Sequence, residues 1–366
     1  MIKKKKISGN LIFNILVAGL CVFMVLFFFF GEDGLNDLLS SGMKISIVWI
    51  LAAVGCQLIY MLLETIVIYC FIHQDYKHFT FFDSLKVSFV GLFWCAVTPS
   101  STGGQPMQIY LLHSMKVDVG YATSRLIQKF LIYQIVLTSI SVLAFVYKFE
   151  FFTTSLSQPV IFTFVVVGFV SQFTITGALI LVSFWPKLTK KFIFGIAKLL
   201  SKVKILKNLE QKARGLEEQL DIFHSSNKEL YHHKKTLAVT FLLTFAQFIA
   251  MFTVPYCVYR ALGLTGATPL DMISSQAFVN LVSGMIPIPG ASGAAEVGFT
   301  AFFNGFFTTE TLMSATLIWR MINYYGVVVV TAPFAYITNG KSRKGKVKQI
   351  ANSDKTIDDV IERINE

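Results

Sequence analysis

Only 14% of the 366 residues are charged, against about 25% in ordinary soluble domains. That scarcity excludes a soluble enzyme, a nucleic-acid-binding module and a disordered tail protein. The chain has no C-x-x-C pair: Cys21, Cys56, Cys70, Cys95 and Cys257 all fall in apolar runs. Neither a disulfide framework nor a zinc site is indicated, and the cysteines read as small packing residues. No Gly-rich P-loop, metal cluster or nucleophile triad is present, so no cofactor is expected. His232 and His233 adjoin Lys234 and Lys235 and read as a solvated face.

Apolar length is abundant instead. Hydrophobic residues make up 54%, with 36 phenylalanines, and the mean hydropathy is +0.62. Six stretches are long enough to cross a hydrocarbon core of about 30 Å: residues 11–30, 45–72, 121–147, 160–184, 236–262 and 312–337. The first is not a cleavable signal, because no small-residue cleavage site follows it. The net charge of +11 is best read through its placement. Lys3, Lys4, Lys5 and Lys6 precede the first span, whereas Glu32, Asp33 and Asp37 follow it. Lys and Arg flanks stay on the cytoplasmic side, so residues 1–10 form a cytoplasmic basic tail. Residues 186–235 hold 12 Lys or Arg and 5 Asp or Glu. Counting spans puts this segment on the same side, as amphipathic helices against the anionic leaflet. Lys341, Arg343, Lys344, Lys346 and Lys348 keep the tail 340–366 cytoplasmic; Ile357, Val360, Ile361 and Ile364 give it a short amphipathic helix.

Two apolar stretches are too short to span. Residues 83–97 end at Thr98-Pro99-Ser100-Ser101-Thr102-Gly103-Gly104-Gln105-Pro106, and a short arm 107–115 follows. Residues 271–286 end at Pro287-Ile288-Pro289-Gly290-Ala291-Ser292-Gly293, and the return arm is 294–307. Each reads as a re-entrant hairpin, a shape tolerated at membrane depth only when buried in protein or lining a cavity. The halves match in order. Tyr69-Cys70 parallels Tyr256-Cys257, Asp83 precedes Pro99 by the interval that separates Asp271 from Pro287, and Arg125-Leu126-Ile127-Gln128 parallels Arg320-Met321-Ile322-Asn323. The span count brings the first hairpin in from the cytoplasm and the second from outside. The predicted fold is therefore all-α: six full spans plus two re-entrant hairpins in an inverted repeat over residues 11–339. Inverted repeats with broken helices at the centre are a recurrent transporter design; two short arms packed as scaffold are the alternative.

Charges at membrane depth are costly and mark candidate sites. These are Glu64, Arg125, Lys129, Glu296 and Arg320. Two roles are open to the acids: contact with a ligand, or pairing of Glu296 or Glu64 with Arg320. Arg125 sits near enough to an interface to snorkel. The first turn offers Ser100, Ser101, Thr102, Gly103, Gly104 and Gln105, with Pro106 suited to a first helical turn. Backbone N–H groups there, with an arginine, suit a phosphate oxygen. Gly290, Ser292 and Gly293 offer the same from the second turn. These glycines equally serve a tight reversal alone.

The Thr98–Pro106 stretch and Pro287-Ile288-Pro289-Gly290-Ala291-Ser292-Gly293-Ala294-Ala295-Glu296 resemble the two motifs of the flippase-like membrane family, over roughly residues 10 to 340. That family includes the membrane domain of lysylphosphatidylglycerol synthase. Many relatives have Gly-Glu where this chain has Gly104-Gln105, and Gly where it has Ala291. The resemblance implies movement of lipids or lipid-linked groups between leaflets. The synthase's soluble catalytic domain follows its membrane part, and no such domain is expected after residue 340 here. The combined expectation is translocation of a polar, phosphate-bearing headgroup held between the hairpin tips. Phosphate would meet the tips and Arg125 or Arg320, with Glu296 or Glu64 facing a cation or an arginine. Expected partners are membrane lipids: an anionic or aminoacylated phospholipid, or a lipid-linked precursor. No nucleic acid is expected, and a homo-oligomer is left open. The rival functions are a phosphatidylglycerol lysyltransferase-type membrane enzyme and a small-solute transporter.

Overall fold

The computed structural model describes residues 45–149, 159–202, 209–284 and 286–335. The basic N-terminal tail, the span 11–30 and the C-terminal tail lie outside the described residues. In chain order the helices are α1 (Ile47–His73), α2 (Phe81–Val97), α3 (Gly104–Ser114), α4 (Val119–Tyr147), α5 (Pro159–Phe184), α6 (Pro186–Lys202), α7 (Leu209–His232), α8 (Lys234–Ala261), α9 (Pro269–Ser283), α10 (Ala294–Phe303) and α11 (Thr309–Arg320). A π turn, Met321–Tyr325, continues α11. No strand occurs among the described residues.

Five of these segments are long and apolar enough to cross a membrane: Ile47–His73, Val119–Tyr147, Phe162–Phe184, Lys234–Ala261 and Glu310–Ala335. They coincide with five of the six expected spans. Their polarity is inverted relative to a soluble bundle. On α1 the side chains of Ile47, Leu51, Leu58 and Leu62 are exposed, whereas Gln57, Glu64 and Thr65 are buried. Aliphatic side chains turned outward suit a lipid solvent, and polar ones at depth must find partners inside the protein. The chain is thus a multi-pass helical membrane protein.

Both broken segments are hairpins of helix, turn and helix. α2 has 17 residues and α9 has 15, about 22–26 Å each, shorter than the hydrocarbon core. α2 packs on α3 and α9 on α10. Close approach in the first pair requires glycine. A Cβ at Gly91 would overlap the Gln108 side chain, and one at Gly104 would overlap the Cys95 thiol. The second hairpin is wedged in a phenylalanine-rich core. Phe248, Phe252, Phe278, Phe299, Phe302 and Phe303 are all fully buried. Phe299 stacks on Phe303 at 4.2 Å and on Trp319 at 4.8 Å.

The two hairpin starts are built alike. Thr80 and Asp83 form a capping box on α2: the Asp83 N–H donates to Thr80 Oγ1 at 3.2 Å and the Thr80 N–H donates to Asp83 Oδ2 at 3.1 Å. Thr268 and Asp271 do the same on α9, at 3.2 and 2.8 Å. The reciprocal bonds satisfy two orphan donors at each helix start. Beyond the boxes the halves slip out of step. Pro99 opens a 3₁₀ turn, Pro99–Ser101, and its counterpart is Pro289, which opens Pro289–Ala291. In each, the next two residues are left-handed: Ser100 (φ 49°) and Ser101 (φ 54°), then Gly290 (φ 62°) and Ala291 (φ 49°). The pairing of Pro99 with Pro287 is therefore corrected by two positions, because backbone conformation, not spacing from the cap, defines the turn.

Left-handed backbone costs a non-glycine residue about 1–2 kcal/mol. Ala291→Gly removes that strain but frees the unfolded chain by about 0.4–1 kcal/mol. The expected outcome is a net gain of about 0.5–1 kcal/mol, read as a higher melting temperature in detergent. A lower melting temperature would mean that the alanine methyl packs more than it strains.

Candidate functional site

The two turns meet. Pro99–Ser101 and Pro289–Ala291 pack against each other, with Cα atoms within 8 Å, and the second turn also rests on α2. Tyr324 ties them together. Its hydroxyl donates to the Ala96 carbonyl, just before the first turn, at 3.1 Å. Its ring lies so close to Gly290 that a Cβ there would overlap it. Tyr324 sits in the π turn, a distortion often found at functional positions.

Arg320 is the buried charge at this junction, with only 5% of its side chain exposed. Its Nε donates to Glu296 Oε1 at 2.6 Å, and its Nη2 donates to the Gly290 carbonyl at 3.0 Å. The guanidinium also stands 5.1 Å from the centre of the Tyr324 ring. Glu296 uses its other oxygen to accept the Gly293 N–H at 2.7 Å. It caps the first turn of α10, where a negative charge is favoured. At 23% side-chain exposure it is the open end of the pair. The expected pairing of Glu296 with Arg320 is present, and it joins the second turn to the last span.

The first turn faces outward. Ser100, Ser101 and Thr102 are exposed, Gly103 and Gln105 are half-buried and Gly104 is buried. Thr98 Oγ1 accepts the Gly103 N–H at 2.9 Å, which holds the turn closed behind these hydroxyls. In the second turn Gly293 is exposed, and the half-buried Ser292 donates to the Pro289 carbonyl at 3.1 Å.

The remaining candidates lie elsewhere. Glu64 does not reach Arg320. It pairs with Lys129 of α4, and Gln247 Nε2 of α8 donates to its second oxygen at 3.1 Å. Arg125 neither snorkels nor approaches the turns. It is fully buried, donates to Asp75 Oδ2 at 2.7 Å and to the Ser226 carbonyl at 3.3 Å, and lies 4.6 Å from the Tyr121 ring centre. Ser226 belongs to α7, so Arg125 fastens the amphipathic segment to the base of α4. Arg125 and Arg320 are alike in sequence but not in place. Lys129, one helical turn beyond Arg125, is the basic residue of α4 that pairs with Glu64.

Tyr324, Gln247 and Asp75 escaped notice as sequence because a neutral residue in a span, or an acid in a loop, carries no depth penalty. Lys129 did carry that signal. Among the described residues no cluster of three His, Cys, Asp or Glu could hold a metal ion.

Residues 12–331 match the family described as Lysylphosphatidylglycerol synthase TM region. The chain belongs to that family. Among curated proteins, a UPF0104 membrane protein of Archaeoglobus fulgidus is 30% identical over 261 residues, covering 67% of this chain and 73% of the relative. Both broken-helix turns, Glu296 and Arg320 fall within the matched range 12–331. So do Glu64 and Lys129.

Proposed function

We propose that the chain translocates a phosphate-bearing lipid headgroup between leaflets through the junction of the two hairpin turns. One observation carries this: two broken helices, one from each half, meet at a single point beside a buried arginine. A phosphate oxygen can take the place of Glu296 Oε1 as the anionic acceptor of the Arg320 Nε–H, and a phosphate offers a second oxygen to the same planar set of donors. A headgroup arriving at the turns can exchange with the carboxylate, so Arg320 passes from one anion to another and is never left bare. The Ser100 and Ser101 hydroxyls and the Gly293 end add polar contacts. The acyl chains stay in lipid while the head crosses, which avoids immersing a charged group in hydrocarbon. In this reading the hairpins enter from opposite sides, both tails are cytoplasmic, and the substrate is an anionic or aminoacylated phospholipid or a lipid-linked precursor.

The test is reconstitution of the full chain in phosphatidylcholine vesicles carrying a trace of head-labelled fluorescent phosphatidylglycerol. An impermeant reductant is added outside. Inner-leaflet label, protected in protein-free vesicles, is expected to become reducible. Protection equal to the protein-free control overturns the proposal. In a cysteine-free background, single cysteines at Ser101 and Ser292 are expected to react with an impermeant thiol reagent from opposite sides. Reaction of both from one side overturns the opposed entry.

A further inference from the structure

The helix α6 follows the α5 span with one residue between them, at Trp185, and divides its residues among three directions. Lys187 and Lys191, four apart, are exposed. Leu188 and Phe192, also four apart, are exposed at 52% and 67%, and Trp185, on the same face, is exposed at 50%. Thr189 and Ile193 turn inward, toward α4 and α7. Lys190 turns toward α7, pairing with Asp221 at 2.8 Å and Glu217 at 3.2 Å. Residues four apart lie on one side of a helix, so a basic stripe borders an apolar stripe on the side away from the protein.

On the inner face Thr189 is buried and Ile193 half-buried. Behind Thr189 and Ile193 lies an apolar cavity of about 210 Å³, also lined by Val182, Ile127 and Phe223. The outer apolar stripe continues the lipid-facing surface of α5, where Ile180, Leu181 and Phe184 are exposed. Pro186 opens α6 at this boundary. α6 holds five lysines and no acid, which favours an anionic surface over a second copy of this basic chain. Tryptophan at the edge of a span is a common interfacial anchor.

We propose that α6 is a docking surface for an anionic phospholipid leaflet. Trp185, Leu188 and Phe192 enter the boundary between headgroups and acyl chains, and Lys187 and Lys191 meet the phosphates. Lys190 transmits the anchorage to α7, which carries the Ser226 carbonyl on Arg125. This inference stands apart from what the hairpin junction transports.

The experiment uses the full chain in vesicles of phosphatidylcholine alone or mixed with phosphatidylglycerol, each with brominated acyl chains. The emission of Trp185 is taken as the difference between the wild type and Trp185→Phe. It is expected to be quenched in both lipids and more strongly with phosphatidylglycerol. That excess is expected to vanish at high salt and in Lys187→Gln/Lys191→Gln. Absence of quenching means that protein covers the face and overturns the proposal. Equal quenching in the two lipids, or an unchanged excess in the double variant, overturns its electrostatic basis. No translocation is measured, so the outcome does not depend on the transport proposal.

Discussion

Arg320→Met and Glu296→Gln are each expected to abolish lipid translocation in reconstituted vesicles while the protein still folds. The Arg320 guanidinium holds the Glu296 carboxylate and the Gly290 carbonyl, so it joins the turn to the last span. A fully buried ion pair that loses one partner costs about 3–5 kcal/mol. The cost here is smaller for loss of the arginine. Glu296 keeps the Gly293 N–H and is 23% exposed, so water can reach the remaining charge. The double variant separates a structural role from a transport role. If the pair only braces the hairpin, Arg320→Met/Glu296→Gln recovers both melting temperature and translocation. If Arg320 hands a phosphate past Glu296, the double variant folds and stays inactive, which is the expected result. Arg320→Lys tests the fork: a point charge keeps the sign but loses the paired donors, so partial activity is expected. Normal translocation by a well-folded double variant would defeat the role of both residues.

Lys129→Met and Glu64→Gln are expected to act mainly on stability. Their side chains are 14% and 10% exposed, so neither end is as open as Glu296 at 23%. It links α1 to α4, and Gln247 brings in α8. Each single change leaves an ion at depth and is expected to cost about 3–5 kcal/mol. Lys129→Met/Glu64→Gln leaves no ion and is expected to recover most of the loss in thermal unfolding in detergent. Single variants with wild-type melting temperatures but no translocation would move the pair from the frame into the transport path.

The contrast between these pairs shows where sequence reasoning holds. The amino-acid sequence by itself determined the membrane class, five of the spans and both helix breaks, because each is a property of consecutive residues. Apolar length sets a span, and proline with glycine ends a helix whatever surrounds it. The matching positions of Asp83 and Asp271 were also legible, because a capping box needs only Thr80 or Thr268 three residues earlier. The pairing of Glu296 with Arg320 was one of two roles the sequence left open.

Only the tertiary structure decided which charge pairs with which. Arg125 and Lys129 differ by one helical turn and look equally apt as sequence. Asp75 arrives from a loop and Ser226 from the amphipathic segment, and together they hold Arg125 at the base of α4. Glu64 arrives from α1 and pairs with Lys129 of α4. Likewise Pro289, not Pro287, opens the second turn, because two left-handed residues follow it. Tyr324 was invisible for a related reason: its position depends on the π turn and its partners on two hairpins. A charge at depth shows in the sequence through its cost, but the partner that offsets that cost lies elsewhere along the chain. Only the fold brings the two together.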